Sequence, residues 1–217
     1  MVTRSDPVRP RHEWRAADFV GGHPALDFLN TVADTGKTRA EDKLVDWPAV
    51  RAWAGKAGLP APDDLARLLR HPRQDGPDEL AALRRFREDA YVAIAHLTAE
   101  GGGSARAAER LAVAIRDAIG RSAFDAVGGR FAWRPDARAA SRWVDAIALG
   151  FEDLMRSDDF ARVRQCGRCT WFFVDRGRGV GRRWCDMRTC GNRAKVEAFR
   201  GGGDTRAAAV AAPRVRH

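Results

Sequence analysis

The segments CGRC at residues 166–169 and CDMRTC at residues 185–190 contain all four cysteines of the chain, with fifteen residues between them. Zn²⁺ takes four thiolates at tetrahedral corners, with each sulfur about 2.3 Å from the metal. A CxxC pair supplies two of these ligands from one tight turn. The chain shows no export signal, and clustered cysteines in a reducing compartment more often bind a metal than form disulfides. The spacing therefore predicts one structural zinc ion bound by Cys166, Cys169, Cys185 and Cys190.

Other chemistries of this cysteine cluster are less consistent with the sequence. Four cysteines also suit an iron–sulfur cluster, which stays an alternative. A closed set of four thiolates leaves no open coordination position for water or substrate, which argues against catalytic zinc. A thioredoxin-like role of the CxxC pair lacks the βαβ context that such a role needs.

The spacer TWFFVDRGRGVGRRW between the two pairs predicts a β-hairpin. Residues 171–174 form a strand-like run, residues 177–181 the turn, and residues 182–184 the returning strand. A helix over residues 192–200 would follow, giving a treble-clef or ribbon-like zinc finger. Asn192 either caps this helix or contacts a nucleic-acid base. Trp171 and Trp184 either pack beside the metal or stack on exposed bases.

The basic residues are concentrated in the C-terminal quarter of the chain. Residues 161–217 hold 14 Lys and Arg against 4 Asp and Glu, whereas residues 1–160 hold 24 against 25. A Cys₄–zinc site has a formal charge of −2, which two positive charges balance, so most of this excess is free for an external anion. A nearly neutral body with a basic end indicates a polyanion-binding module.

The remainder of the chain reads as a mostly α-helical body with one small β-hairpin, which makes the fold class α+β. Apolar periodicity predicts helices over residues 77–99, 105–119 and 136–154, and shorter helices after Asp46 and after Asp63 or Asp64. The run AFDAVGGRFAW at residues 123–133 predicts a hairpin turning at Gly128 and Gly129.

Composition divides the chain into four parts. Residues 1–17 are Arg- and Pro-rich and are expected to form a disordered tail. Residues 18–158 form the helical body, residues 159–200 the zinc finger, and residues 201–217 a disordered basic tail. No apolar run approaches the about 20 residues that span a bilayer, so we expect a cytoplasmic protein without a membrane partner.

The segment GGHPALDFLNT near the start of the body places polar groups within an apolar stretch. Such groups need partners when they are buried. One interpretation is a capping network, and the other is a small-ligand pocket that includes His23, Asp27, Asn30 and Thr31. The sequence contains no phosphate-binding glycine loop, catalytic triad or paired-carboxylate pattern, so we expect no enzymatic activity.

The motif pattern resembles the CGNR zinc-finger proteins of bacteria. WFFVD at residues 171–175, RRWCDM at residues 182–187 and TCGNRAK at residues 189–195 fit this finger, and GGHPALDFLNT resembles the start of the ABATE domain that precedes it. The resemblance extends over roughly Asp18 to Arg200. It implies a stress-related transcription regulator.

These observations together predict a zinc-dependent, DNA-binding transcription regulator with a sensing or dimerising body. We expect the finger helix to read bases and the spacer hairpin to bind phosphates. An RNA-binding protein and a protein-interaction module remain alternatives, and a small-molecule effector and a homodimer remain open. The predicted nucleic-acid contacts are Arg178, Arg182, Arg183, Arg188, Asn192, Arg193, Lys195 and Arg200.

Overall fold

The computed structural model describes residues 12–33, 37–71, 75–98, 103–177 and 181–200. Within them the chain is mainly helical, with short antiparallel strand pairs, as the sequence predicts. The helices are α1 (Pro24–Leu29), α2 (Trp47–Ala57), α3 (Pro62–Leu68), α4 (Pro77–Leu97), α5 (Ala105–Gly120), α6 (Arg142–Arg156) and α7 (192–200). The strands are β1 (Val32–Ala33), β2 (Glu41–Asp42), β3 (Ser122–Val127), β4 (Arg130–Pro135), β5 (Val163–Gln165) and β6 (Phe172–Val174).

Local signals in the sequence set the ends of several helices. The Asp46 side chain accepts a hydrogen bond from the Ala49 amide at 2.8 Å and caps α2, with Pro48 in the first turn. Gly58 ends the same helix in the left-handed conformation, at φ 67°. The predicted helix after Asp46 is therefore confirmed, together with the signals on which it rested.

The hairpin of β3 and β4 also forms where the sequence predicts it. Gly128 and Gly129 make the two-residue turn, with φ values of 57° and 81°. Such a turn requires positive φ at both positions, which glycine adopts without strain. The strands pair in antiparallel register, with Phe124 opposite Trp133. The following helix, α6, begins at Arg142 rather than at residue 136, because residues 137–141 form turns first.

One hydrophobic core joins the helices of the body. Phe28 of α1 lies at its centre and contacts Trp53 of α2, Phe86 of α4 and Phe151 of α6, with ring centroids 5.4–6.5 Å apart. Trp143 of α6 is also buried there. None of the described helices has the length and apolar composition that crossing a membrane requires.

Residues 12–17, the part of the expected N-terminal tail that the structure describes, are ordered; residues 1–11 and the expected tail at residues 201–217 lie outside the described residues. Trp14 is 2% exposed and packs in the core, and its indole nitrogen donates to the Ala49 carbonyl at 2.9 Å. A short 3₁₀ turn, Ala16–Asp18, follows it. A large aromatic side chain within a polar, Arg-rich segment provides enough buried area to order the residues around it.

The strand pairing near the cysteines is a correction. The sequence predicts that residues 171–174 pair with residues 182–184, but β6 pairs instead with β5, which precedes the first cysteine pair. Residues 181–183 are not in a strand. The hairpin therefore encloses the CxxC turn itself, and Val163, Phe172 and Val174 from its strands join the core of the body. Burial of these three apolar side chains favours the observed pairing.

Candidate metal centre and basic surface

The four cysteine sulfurs converge on one point. All four Sγ atoms lie within 4.8 Å of one another, and each side chain is buried. The distance is 3.7 Å from Cys169 Sγ to Cys185 Sγ and 3.6 Å from Cys185 Sγ to Cys190 Sγ. A tetrahedral Zn²⁺ with sulfur at about 2.3 Å requires sulfur atoms about 3.8 Å apart. The four ligands predicted from the sequence therefore fit a zinc ion in number, chemistry and spacing.

The first cysteine pair lies in the turn that connects β5 to β6. The Cys166 amide donates to the Trp171 carbonyl at 2.8 Å and closes this turn. The Gly167 amide donates to the Arg183 carbonyl at 3.0 Å, which ties the turn to the returning segment. The spacer thus reaches the first cysteine pair through a backbone hydrogen bond, without the second strand that the sequence predicts.

The second cysteine pair is brought together by a π-helical turn, Met187–Gly191. The Gly191 amide donates to the Asp186 carbonyl, five residues earlier, at 3.1 Å. This wider turn brings residues five apart onto the same side of the helix, as Cys185 and Cys190 require. Asp186 begins the turn, and its carboxylate accepts from the Arg188 amide at 3.2 Å and from the Thr189 hydroxyl at 3.1 Å.

The predicted cap at Asn192 is therefore wrong. Helical structure begins at Met187, and Asn192 lies inside it with φ −65° and ψ −42°. Its side-chain amide donates to the Arg188 carbonyl, four residues earlier, at 3.1 Å. The sequence contained the correct signal in Asp186, a favoured capping residue that lies directly before the helical turn at Met187.

Trp184 covers the metal centre between two glycines. A Cβ atom on Gly167 would lie 3.1 Å from its ring, and a Cβ on Gly191 would lie 3.3 Å from it. Met187 closes the same side, because its sulfur would lie 2.9 Å from a Cβ on Gly191. The glycines thus make room for the indole, which supports the packing interpretation of Trp184. Trp171 also packs, since its indole nitrogen donates to the Val32 carbonyl at 2.8 Å.

The sulfur atoms strongly perturb one another's ionisation. Hydrogen bonds from the other three cysteines lower the pKa of Cys166, and hydrogen bonds with the other three raise the pKa of Cys185. Four thiols packed this closely cannot all ionise without a compensating cation. A divalent metal supplies that compensation and holds every sulfur as a thiolate. Arg168 adds positive charge beside Cys190, and its pKa is raised by its hydrogen bond with Glu197 and by Cys190.

The predicted nucleic-acid contacts lie on the surface around the metal centre. Arg178 is not among the residues that the structure describes. The other basic residues are exposed on the segment before Cys185 or on the π turn and α7: Arg182, Arg183, Arg188, Arg193, Lys195 and Arg200. Asn192 is exposed among them. In the part of the chain that the structure describes, none of these six cations forms an ion pair, whereas Arg168 is paired with Glu197.

Two of these arginines also contact the metal centre. The Arg182 guanidinium lies 4.3 Å from the centroid of the Phe173 ring, and the Arg183 guanidinium lies 4.7 Å from the Trp184 ring. Such cation–π contacts leave the edges of the guanidinium free for hydrogen bonds. Arg182 and Arg183 thus have a structural role in addition to the predicted one, whereas the helix cations have no comparable contact.

The four residues of the predicted ligand pocket each have a hydrogen-bond partner within the fold, and Asp27, Asn30 and Thr31 are buried. His23 caps α1, because its Nδ1 accepts from the Ala25 amide at 3.2 Å, and its Nε2 lies 3.2 Å from Asp153. Asp27 accepts from the Gly21 amide at 2.8 Å. The Thr31 hydroxyl donates to the Phe28 carbonyl at 2.7 Å. His23 lines a cleft, which is described below.

Asn30 has a role that sequence reasoning did not find. Its side-chain amide donates to the Phe172 carbonyl at 2.9 Å, and its oxygen accepts from the Phe172 amide at 3.0 Å. Asn30 is fully buried, so it joins the end of α1 to β6 of the finger. The Gly21 carbonyl accepts from the Val174 amide at 2.7 Å and extends this contact. The signal was a polar residue in an apolar run, but a contact across 142 residues cannot be assigned from sequence alone.

Comparisons with known families agree with this architecture. Residues 22–158 match the ABATE family, described as "Putative stress-induced transcription regulator". Residues 162–201 match the CGNR zinc finger. No curated protein matches the chain. The first match extends over more than half of the chain and includes α1 to α6, while the second contains all four cysteines. The chain belongs to the ABATE family and has a CGNR zinc finger at its C-terminal end.

Proposed function

We propose that this protein is a transcription regulator that binds duplex DNA through its zinc finger, and that the zinc ion is structural. Its family description and its finger support the regulatory role. Cys166, Cys169, Cys185 and Cys190 would hold the ion. When bound, the ion would fix the relative positions of the CxxC turn and the π turn, and it would have no catalytic role.

The exposed, unpaired cations on a single rigid element support this proposal most directly. Arg188, Arg193, Lys195 and Arg200 project from the π turn and α7, whose start is fixed by two metal ligands. Exposed cations attract phosphates, and neutralising the phosphates releases condensed counterions from DNA. Arginine also contacts guanine O6 and N7 in a bidentate manner. The helix is therefore our candidate for the element that contacts DNA.

The rest of the finger would hold this helix in place. Arg168 pairs with Glu197 through a 3.2 Å hydrogen bond from Nε and links the CxxC turn to α7. Arg182 and Arg183 lie on the same exposed side as the aromatic rings that they cover. In this proposal they would contact phosphates next to the helix. Asn30 and Gly21 join β6 of the finger to the body through backbone hydrogen bonds.

A salt titration on matched variants tests the proposal. A random-duplex selection on the full-length zinc protein first yields a preferred site, and fluorescence anisotropy then measures affinity for it from 50 to 300 mM salt. Arg193→Gln combined with Lys195→Gln should weaken binding. It should reduce the slope of log affinity against log salt by about 1.8, because each lost phosphate contact contributes about 0.9. Zinc content, measured by elemental analysis, should not change.

The control changes the same amount of charge elsewhere. Arg106 and Arg116 are exposed on α5, and the double change to glutamine should leave both affinity and salt slope unchanged. Equal loss in the two variants would show that net charge alone is responsible and would contradict a specific surface. Preference for structured RNA over duplex DNA, or binding to neither, would favour the RNA-binding or protein-interaction alternatives and reject this proposal.

A further inference from the structure

A cleft of about 580 Å³ lies on the body, away from the metal centre. Its walls come from the start of α1, the turn after α2, the exposed side of α6 and the hairpin of β3 and β4. This volume is in the range of small-molecule sites. His23 lies at one end of it and is hydrogen-bonded to Asp153 on α6. No part of the DNA-binding proposal uses this cleft.

The hairpin wall of the cleft is unusually aromatic for a surface. Phe124, Phe131 and Trp133 lie on one face of the hairpin and line the cleft. Phe124 and Phe131 stack with centroids 5.3 Å apart, and Phe124 lies 4.6 Å from Trp133. Yet Phe124 is 54% exposed and Phe131 is 69% exposed. A contiguous exposed aromatic face indicates a binding surface, because leaving it in water is unfavourable.

The charged side chains that line the cleft indicate which ligand would fit. Glu152 on α6 is paired with Arg156 at 3.0 Å, and Asp64 on α3 is paired with Arg67 at 3.0 Å and with Arg134 of the hairpin at 3.1 Å. Asp153 differs, because its side chain is 79% exposed and its ion-pair contact in the described structure is His23. The cleft therefore offers one accessible carboxylate opposite the electron-rich faces of aromatic rings. Both features attract a cation, and the rings also attract an apolar group.

We propose that this cleft binds a small organic cation with an aromatic or other apolar part. The apolar part would lie on Phe124 and Phe131, and the cationic group would lie near Asp153. The concave shape favours a small molecule over a flat protein surface. A second copy of the chain is the competing occupant of the aromatic face, and the experiment below distinguishes it.

Isothermal titration calorimetry on the full-length zinc protein, without nucleic acid, tests the proposal with three probes of similar size. These are benzyltrimethylammonium, N,N-dimethylbenzamide and phenylacetate. The cation should bind about tenfold more tightly than the neutral amide, and phenylacetate should bind most weakly. Asp153→Asn and Phe131→Ala should each weaken binding of the cation by about 2- to 5-fold. Both residues are exposed, so the variants should keep the thermal stability of the parent.

Matched controls separate the cleft from general charge and apolar area. Asp158→Asn, outside the cleft, and Val113→Ala, at an exposed position of α5, should leave affinity for the cation unchanged. Equal binding of all three probes, no binding of any, or an unaffected Asp153→Asn variant would overturn the proposal. A dimer in sedimentation velocity that Phe131→Ala dissociates would assign the aromatic face to a second copy and overturn it too. Because no DNA is present, failure here is distinct from failure of the proposed function.

Discussion

Asp27 shows how a single residue links the fold to pH. It lies in α1, its carboxylate is mostly buried, and it accepts a hydrogen bond from the Gly21 amide. Burial raises the pKa of Asp27 to about 7, and the Gly21 hydrogen bond offsets only part of this. The folded protein therefore binds a proton at Asp27 more tightly than the unfolded chain. The stabilising effect of the protonated Asp27 side chain is fully present below about pH 4, and it is lost as the pH rises through about 7.

Asp27→Asn should remove this pH dependence. The amide oxygen can still accept the Gly21 hydrogen bond, but the side chain no longer carries a buried charge above neutral pH. We expect the variant to be more stable than the parent by on the order of 1–3 kcal/mol at pH 8, with the difference disappearing toward pH 4. Urea unfolding at several pH values measures this difference.

The exposed residue Asp158 provides the control for this prediction. Asp158→Asn should show no comparable change in the free energy of unfolding at any pH. A difference between Asp27→Asn and the parent that stays constant from pH 4 to pH 8 would show that Asp27 titrates normally. Acid also protonates the cysteine ligands, but this affects variant and parent equally and cancels in the difference.

Elements whose signals are local were predictable from the sequence. The cap at Asp46 with Gly58 at the end fixed α2, and the pair Gly128–Gly129 fixed the hairpin of β3 and β4. The partner of β6 was not predictable, because residues 163–165 and residues 182–184 each have a single large apolar side chain, and burial of Val163 against the body selects β5. The π turn was likewise hidden, since apolar periodicity does not distinguish it from an ordinary helical turn.

Asn30→Ala tests the connection between α1 and β6. The change leaves the amide and the carbonyl of Phe172 without partners in a buried place. Each unsatisfied backbone group costs about 1–3 kcal/mol, and we expect a total loss of about 2–4 kcal/mol in the free energy of unfolding. Chemical denaturation with zinc present measures it.

Asn192→Ala is the matched control for this change, because Asn192 is exposed and makes a single hydrogen bond within its helix. Alanine is the better helix former, so the free energy of unfolding should change by less than about 0.5 kcal/mol. Similar losses in the two variants would show that the Asn30 contacts contribute no more than an ordinary surface hydrogen bond.

At the scale of the whole molecule, the finger and the body share one core. Val163, Phe172 and Val174 belong to the finger strands and pack among the body's helices. The cysteine spacing was sufficient to predict the metal ligands, and the charge distribution was sufficient to locate the basic surface. The cysteine spacing and the charge distribution contain no information about how the finger packs against the body. That packing depends on Gly21, Asn30 and Val32, which lie far from the finger in the sequence. The domain boundaries stay a prediction.

Removal of zinc should therefore destabilise the body as well as the finger. Without the metal the CxxC turn loses its anchor, and the buried strands β5 and β6 lose support. Treatment with a strong chelator should lower the melting temperature and increase hydrogen exchange in α1, whose end is hydrogen-bonded to β6. Adding zinc back should restore both.

Cys185→Ser should lower the melting temperature and increase hydrogen exchange in α1 without any chelator. Adding chelator to this variant should cause no further change in either quantity. Unchanged hydrogen exchange in α1 after complete metal loss would contradict this coupling and would show that the body is an independent unit. Elemental analysis of each sample is needed, so that residual metal is not mistaken for independence.

The contact between Asn30 and Phe172 also limits when folding can be completed during synthesis of the chain. Ribosomes synthesise GGHPALDFLNT at residues 21–31 well before WFFV at residues 171–174. Asn30 therefore has no Phe172 backbone to bind until the finger strand has emerged, so this contact between α1 and β6 cannot help the earlier part of the chain to fold during synthesis.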